Sequence, residues 1–157
     1  MTSGPERRPI GASRGLSPET GARLAALWRE IDSASAPSAG CERCGRCCKF
    51  AEAGHVLYAE RIEALHALDC AAELDRAQIA RGLCPFYRGG ECLNREGRPL
   101  GCRMFFCAAA GAEERQALHE RQLRRVRAIA QEGGIAIDYR PFLAHMDEML
   151  GREPGSP

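Results

Sequence analysis

Apolar residues at helical spacing frame this chain at both ends. Leu24, Leu27, Trp28 and Ile31 recur at i, i+3, i+4 and i+7, one stripe of an amphipathic helix. Ser17-Pro18-Glu19 supplies its start: an N-cap hydroxyl, a proline at the first helical position and an acid in the first turn. Trp28 therefore reads as a packing residue. Toward the other end, Leu118, Leu123, Val126, Ile129 and Ala130 give an inner face to a helix over 111–132, which Gly133-Gly134 stops. Ile135 to Tyr139 alternates like a short strand. Pro141 then opens a last helix with Phe142, Leu143, Met146 and Leu150 as its apolar residues.

Between these ends the periodicity weakens. A helix is expected from about Ala59 to Leu68, with Ile62, Leu65 and Leu68 inward. Ala71 to Ala80 reads as a second helix or a continuation, with Leu74 and Ile79 as apolar points and Gly82 as its end. From Leu83 to Cys107 no period is sustained. Cys84-Pro85 and Arg98-Pro99 favour extended or turn backbone, and Gly89-Gly90 marks a tight turn that could close a small hairpin. The pattern predicts a mainly α, small metal-stabilised domain with irregular cysteine-rich loops and at most one short hairpin. Residues 1–16 read as a disordered leader, 33–40 as a linker and 151–157 as a tail. The single domain is placed at 17–150, with a metal-binding core at 41–107 and a helical region at 111–150.

Charge removes some function classes. Of 157 residues, 22 are Lys or Arg and 21 are Asp or Glu, a balance unlike that of a strongly basic nucleic-acid binder. Arg121, Arg124, Arg125 and Arg127 crowd one helix. They read as a solvated face partnered by Glu113, Glu114 and Glu120 in preference to a nucleic-acid patch. Aromatic content of 6% implies a small core. The first residues lack the apolar region of a secretory signal, and no stretch approaches the roughly 18 apolar residues of a membrane span. The expectation is a cytoplasmic protein without membrane contact. Nine cysteines in such a chain point to metal binding or redox chemistry ahead of structural disulfides.

Four of those cysteines lie in eight residues, Cys41-Glu42-Arg43-Cys44-Gly45-Arg46-Cys47-Cys48, the pattern C-x2-C-x2-C-C. Two-residue spacings let a tight loop bring sulfurs together, and the first three have the spacing that opens many bacterial iron–sulfur motifs. Cys47 and Cys48 are adjacent, so their side chains diverge, and one of them should serve a second site or another role. A second group follows at irregular intervals: Cys84, Cys92, Cys102 and Cys107. Eight thiolates can complete two four-sulfur sites, or one cluster plus a separate site. Cys70 stands outside both groups and reads as a lone buried thiol. Arg43, Arg46, Lys49 and Arg103 neighbour ligand candidates, where positive charge favours thiolate. His55, His66, His119 and His145 are scattered singly. No spacing singles out a Cys–His pair, and no nucleotide-binding glycine motif, G-x-S-x-G elbow or H-E-x-x-H helix occurs.

Cys41 to Cys48, Leu83-Cys84-Pro85-Phe86, Gly90-Glu91-Cys92, Arg98-Pro99-Leu100-Gly101-Cys102-Arg103 and Phe106-Cys107 together resemble the YkgJ-type cysteine-cluster family. This family is also called the CxxCxxCC domain and is described as zinc- or iron-chelating. The resemblance spans Cys41 to Cys107 and implies that Cys41, Cys44, Cys47, Cys48, Cys84, Cys92, Cys102 and Cys107 are metal ligands. One departure is Leu93-Asn94, where the family usually carries an Ile-Tyr pair. The expected function is a metal-binding module holding iron, as an iron–sulfur cluster, or zinc. A cluster-dependent redox or transferase enzyme and a scaffold held by structural zinc are the alternatives.

Overall fold

Ser17 begins the first helix as its sequence requires: the Ser17 Oγ accepts the Thr20 backbone N–H at 3.2 Å, satisfying one of the unpaired donors of the first turn. The helix, α1, runs Pro18–Ala34 and buries Leu24, Leu27, Trp28 and Ile31. The computed structural model describes residues 15–34, 46–104 and 112–151. The expected leader up to Arg14, the linker from residue 35, three candidate ligands (Cys41, Cys44, Cys107) and the tail beyond Gly151 lie outside the described residues.

The further elements are α2 (Phe50–Ala53), β1 (Tyr58–Glu60), α3 (Arg61–Cys70), β2 (Tyr87–Arg88), β3 (Glu91–Cys92), α4 (Leu100–Met104), α5 (Ala112–Glu132), β4 (Tyr139–Pro141) and α6 (Phe142–Leu150). Short 3-10 turns occupy Arg46–Cys48 and Arg76–Arg81. The described residues are thus mainly helical, with two two-stranded ribbons. No described helix is long and apolar enough to cross a membrane.

Two apolar clusters form. The first joins the α1 stripe to Ile62, Leu100, Met104, Leu123, Val126, Ile129 and Ala130. The second gathers Cys48, Phe50, Ala59, Ala64, Ala67, Ala71, Cys84, Phe86, Phe142 and Met146. Much of this second cluster is alanine and sulfur, so its backbones must come close to fill space.

Several departures from the sequence expectation have physical causes. The strand expected at 135–139 is β4 at Tyr139–Pro141, paired antiparallel with β1. Ile135 is occupied otherwise: its N–H caps α5 on the Ala130 carbonyl at 2.8 Å. No α-helix forms over 71–80: residues 71–75 are irregular and Arg76–Arg81 is the 3-10 turn. Asp75 takes the Ala77 N–H on its side chain, and Gly82 ends the turn at φ 69°. Gly82 is needed there twice over, because an added Cβ would lie 2.5 Å from Ala51 Cβ. The hairpin across Gly89-Gly90 forms as expected, both glycines having φ > 0 (58° and 90°), as a type I′ turn demands. Helix α4 has no apolar period to announce it. On α5, Arg125 pairs with Glu30 of α1 and Arg127 with Glu60 of β1, across the fold, in place of the expected Glu113, Glu114 and Glu120.

Two buried acids organise the centre. Glu60 and Glu63 are 1% and 2% exposed and form a capping box at the start of α3. Glu63 accepts the Glu60 N–H at 2.6 Å and the Leu100 N–H at 2.7 Å. Burial nevertheless dominates these favourable bonds and pushes the Glu63 carboxyl up to about 7. The sign follows from proton linkage. The folded state holds this proton more tightly than the unfolded chain, so its stabilisation is complete below about pH 4.5 and disappears as pH rises through 7. Stability should therefore fall by a few kcal/mol, on the order of 1.4 per unit, across that window. Glu63→Gln should flatten the slope in urea titrations, and an unchanged slope would refute the assignment.

Asn94 offers a second test. Ala71 N–H turns to the Leu68 carbonyl, and Asn94 Nδ2 donates to the Ala67 carbonyl at 2.8 Å. Asn94 is 4% exposed and so caps α3 from the cysteine loop. Asn94→Ala should cost roughly 1–3 kcal/mol in denaturant unfolding, the penalty of an orphaned buried group.

Candidate metal centre

Five of the eight candidate ligands fall within the described residues, and the fold brings them together. Cys47 and Cys48 come from the turn before α2, Cys84 from the turn before the hairpin, Cys92 from β3 and Cys102 from α4. Backbone bonds explain the convergence. Cys84 N–H donates to the Cys48 carbonyl at 2.8 Å, and Ala51 N–H donates to the Gly82 carbonyl at 3.1 Å, docking the first cysteine loop on the second. The Gln78 amide donates to the carbonyls of Cys84 (2.8 Å) and Tyr87 (2.9 Å), which holds the hairpin in place. Register then sets Cys92 opposite Tyr87.

The sulfurs sense one another. Cys48 and Cys84 are each 6% exposed, whereas Cys47 is exposed. Bonding of the Cys48 thiol toward Cys47 holds Cys47 down at about 6, and bonding toward Cys92 holds that thiol at about 6 as well. Cys48 itself is driven up, first by Cys47 and then by Cys84, Cys92 and burial. Cys102 is raised by burial and by the charges of Cys84, Cys47 and Cys92. All six described cysteines are free thiols. Among the described residues, no three His, Cys, Asp or Glu side chains are already arranged to hold a metal ion. The donor type, thiols of which Cys47 and Cys92 are acidified, is that of a soft-metal ligand. The three remaining candidates lie outside the described residues.

The cation beside the sulfurs differs from expectation. Arg103 is turned away: it donates to Asp32 (2.5 Å), to the Arg98 and Glu96 carbonyls, and lies 4.8 Å over the Trp28 ring. Lys49 lies over the Tyr87 ring at 5.6 Å. Positive charge acts on Cys47 from His55 and then Arg98, on Cys92 from Arg98 and Arg95, and on Cys102 from Arg98. Arg98-Pro99 reads in the sequence as a turn signal, which masks this role.

Cys70 has a partner that the i, i+4 spacing on α3 could have revealed. Its Sγ lies 3.6 Å from His66 Nε2. Trp28 Nε1 donates to His66 Nδ1 at 3.4 Å, so the neutral ring carries its proton on Nε2, facing the sulfur. The imidazole therefore offers Cys70 no free base. Burial lowers His66 and raises Cys70, which keeps both neutral. This is a packed pair and not an activated nucleophile. His145 is fully buried, its Nε2 donating to the Ala59 and Asp138 carbonyls. His55 packs edge-on against Phe50, and His119 is buried on α5.

No protein-family model matches the chain, and no curated protein or solved structure is detectably similar to it. The likeness to the YkgJ-type family rests on the cysteine motifs themselves.

Differences among the thiols can be measured. In reduced, metal-free protein, iodoacetamide should label Cys47 with a rate that levels off above about pH 6 and falls below it, as thiolate is lost. Cys48 and Cys102 should label last. A Cys47 rate still climbing through about pH 8.5, the ordinary cysteine value, would contradict the acidified thiol.

Proposed function

We propose that this chain is a metal-binding cysteine-cluster protein that holds iron, as an iron–sulfur cluster, or zinc. The observation that carries the reading is the gathering of Cys47, Cys48, Cys84, Cys92 and Cys102 from four separate stretches of chain, while Cys70 is paired with His66. Sulfurs this close without disulfides are hard to keep in one protonation state together and are well suited to a cation that accepts several thiolates. Cys41, Cys44 and Cys107 would complete the ligand set. Arg98 offsets the negative charge of such a centre. The metal supplies either a structural tie between loops or, as a cluster, one-electron chemistry.

The test is metal and acid-labile sulfide analysis after anaerobic purification from medium replete in iron, zinc and sulfur. Iron with sulfide, or zinc, is expected at fixed stoichiometry. Cys70→Ala should keep that stoichiometry, and Cys84→Ala or Cys102→Ala should lose part of it. Folded, metal-free protein from such medium, or equal loss in all three variants, would overturn the reading.

A further inference from the structure

Cys48 is the hub of the described sulfurs. Its thiol is hydrogen-bonded toward Cys47, Cys84 and Cys92. Backbone bonds fix these neighbours. Cys84 N–H donates to the Cys48 carbonyl at 2.8 Å, Tyr87 N–H donates to the Cys84 carbonyl at 3.0 Å, and strand pairing sets Cys92 opposite Tyr87. Cys48 and Cys84 belong to one apolar cluster, and Cys92 packs against it. All of these thiols are free. Thiols held against one another by the fold are ready to be joined by an oxidant.

Access and chain geometry separate the possible pairs. Cys48 and Cys84 are both buried, so a solute meets neither of them first. Cys92 is only half-buried and stands on a two-residue strand next to the Gly89-Gly90 turn. Arg98 and Arg95 supply positive charge beside it, which favours the thiolate that attacks oxidants. Cys47 is exposed as well, but it adjoins Cys48 in the chain. Adjacent α carbons are about 3.8 Å apart across a trans peptide, short of the roughly 4.4–6.8 Å that a disulfide spans. A Cys47–Cys48 bridge would therefore be strained. Cys92 with Cys48 combines an accessible sulfur, a shielded partner and 43 intervening residues free of that constraint.

We propose that Cys92 and Cys48 form a peroxide-sensitive dithiol switch, with Cys92 as the thiol first oxidised and Cys48 as the thiol that resolves it. The Cys92 thiolate attacks hydrogen peroxide: a sulfur–oxygen bond forms, the oxygen–oxygen bond breaks, and the leaving hydroxide takes up a proton as water. The Cys48 sulfur, giving up its proton, then attacks the Cys92 sulfenic acid. The sulfur–sulfur bond forms, the sulfur–oxygen bond breaks, and a second water leaves. Two thiols and one peroxide give one disulfide and two waters, the two electrons passing from sulfur to oxygen. The bridge consumes two sulfurs of the proposed metal centre, so oxidation lowers the chain's capacity for metal and reduction restores it. That consequence rests on the metal-binding reading; the dithiol chemistry does not.

The test uses the full chain, chelated under reducing conditions, freed of reductant anaerobically and treated with one equivalent of hydrogen peroxide. Peptide mass spectrometry after alkylation should find Cys48–Cys92 as the main disulfide, with Cys70 still a free thiol. Cys48→Ser should lose the bridge and leave a dimedone-reactive sulfenic acid on Cys92, and Cys84→Ser should keep the bridge. The parent chain alone decides the pairing, so a variant that fails to fold does not rescue the proposal. A main disulfide that omits Cys48 or Cys92, lasting sulfenic acid on Cys92 in the parent chain, or no disulfide at all would each overturn it. Zinc titration of the oxidised and the dithiothreitol-treated protein reads the consequence. The oxidised form should take up less zinc per chain and recover on reduction; equal uptake by both forms would overturn the switch. A chain that binds neither zinc nor iron in either form sinks the metal reading and leaves the disulfide result standing, so the two readings fall separately.

Discussion

Two carboxylates with almost no solvent access hold the centre of this protein together. Glu63 takes the N–H groups that open α3 and α4. Glu60 takes Arg127 from α5 at 2.6 Å and the Asp138 N–H, one residue before β4, at 2.8 Å. Short helices and two- or three-residue strands have little cohesion of their own. Burial of these two acids is tolerated because each oxygen meets a donor, and removing any one donor would leave an unsatisfied polar group in the interior. Helix α4, which carries Cys102, is tied to α3 at this junction.

The cysteine region is held by other means. Its apolar cluster relies heavily on alanine, and its turns are set by Gly82, Gly89 and Gly90. Close backbone approach and a few side-chain amides, those of Gln78 and Asn94, therefore carry what larger side chains do elsewhere. On the proposed reading, a bound metal would tie these loops to one another.

Long periodic segments were legible in the sequence. The α1 stripe, the inner face of α5, the α6 start at Pro141 and the glycine hairpin all appear where period and turn chemistry put them. What was not legible has a common cause: it depends on distant partners. Burial of Glu60 and Glu63, the β1–β4 pairing and the short helix α4 follow from tertiary contacts that no local window contains. The cysteine spacing pointed to a gathering of sulfurs, five of which lie together among the described residues. It placed Arg43, Arg46, Lys49 and Arg103 beside them; of these the fold engages Arg103 with Asp32 and Trp28, while Arg98, which the spacing did not single out, acts on Cys47, Cys92 and Cys102.

The position of Trp28 has a practical meaning. It is the chain's single tryptophan, 3% exposed, with its N–H on His66 of α3 and the Arg103 guanidinium of α4 over its ring. Three helices thus meet on one fluorophore. Its emission is an intrinsic optical gauge of whether the first helix remains seated on the cysteine-bearing part of the chain, readable without any label.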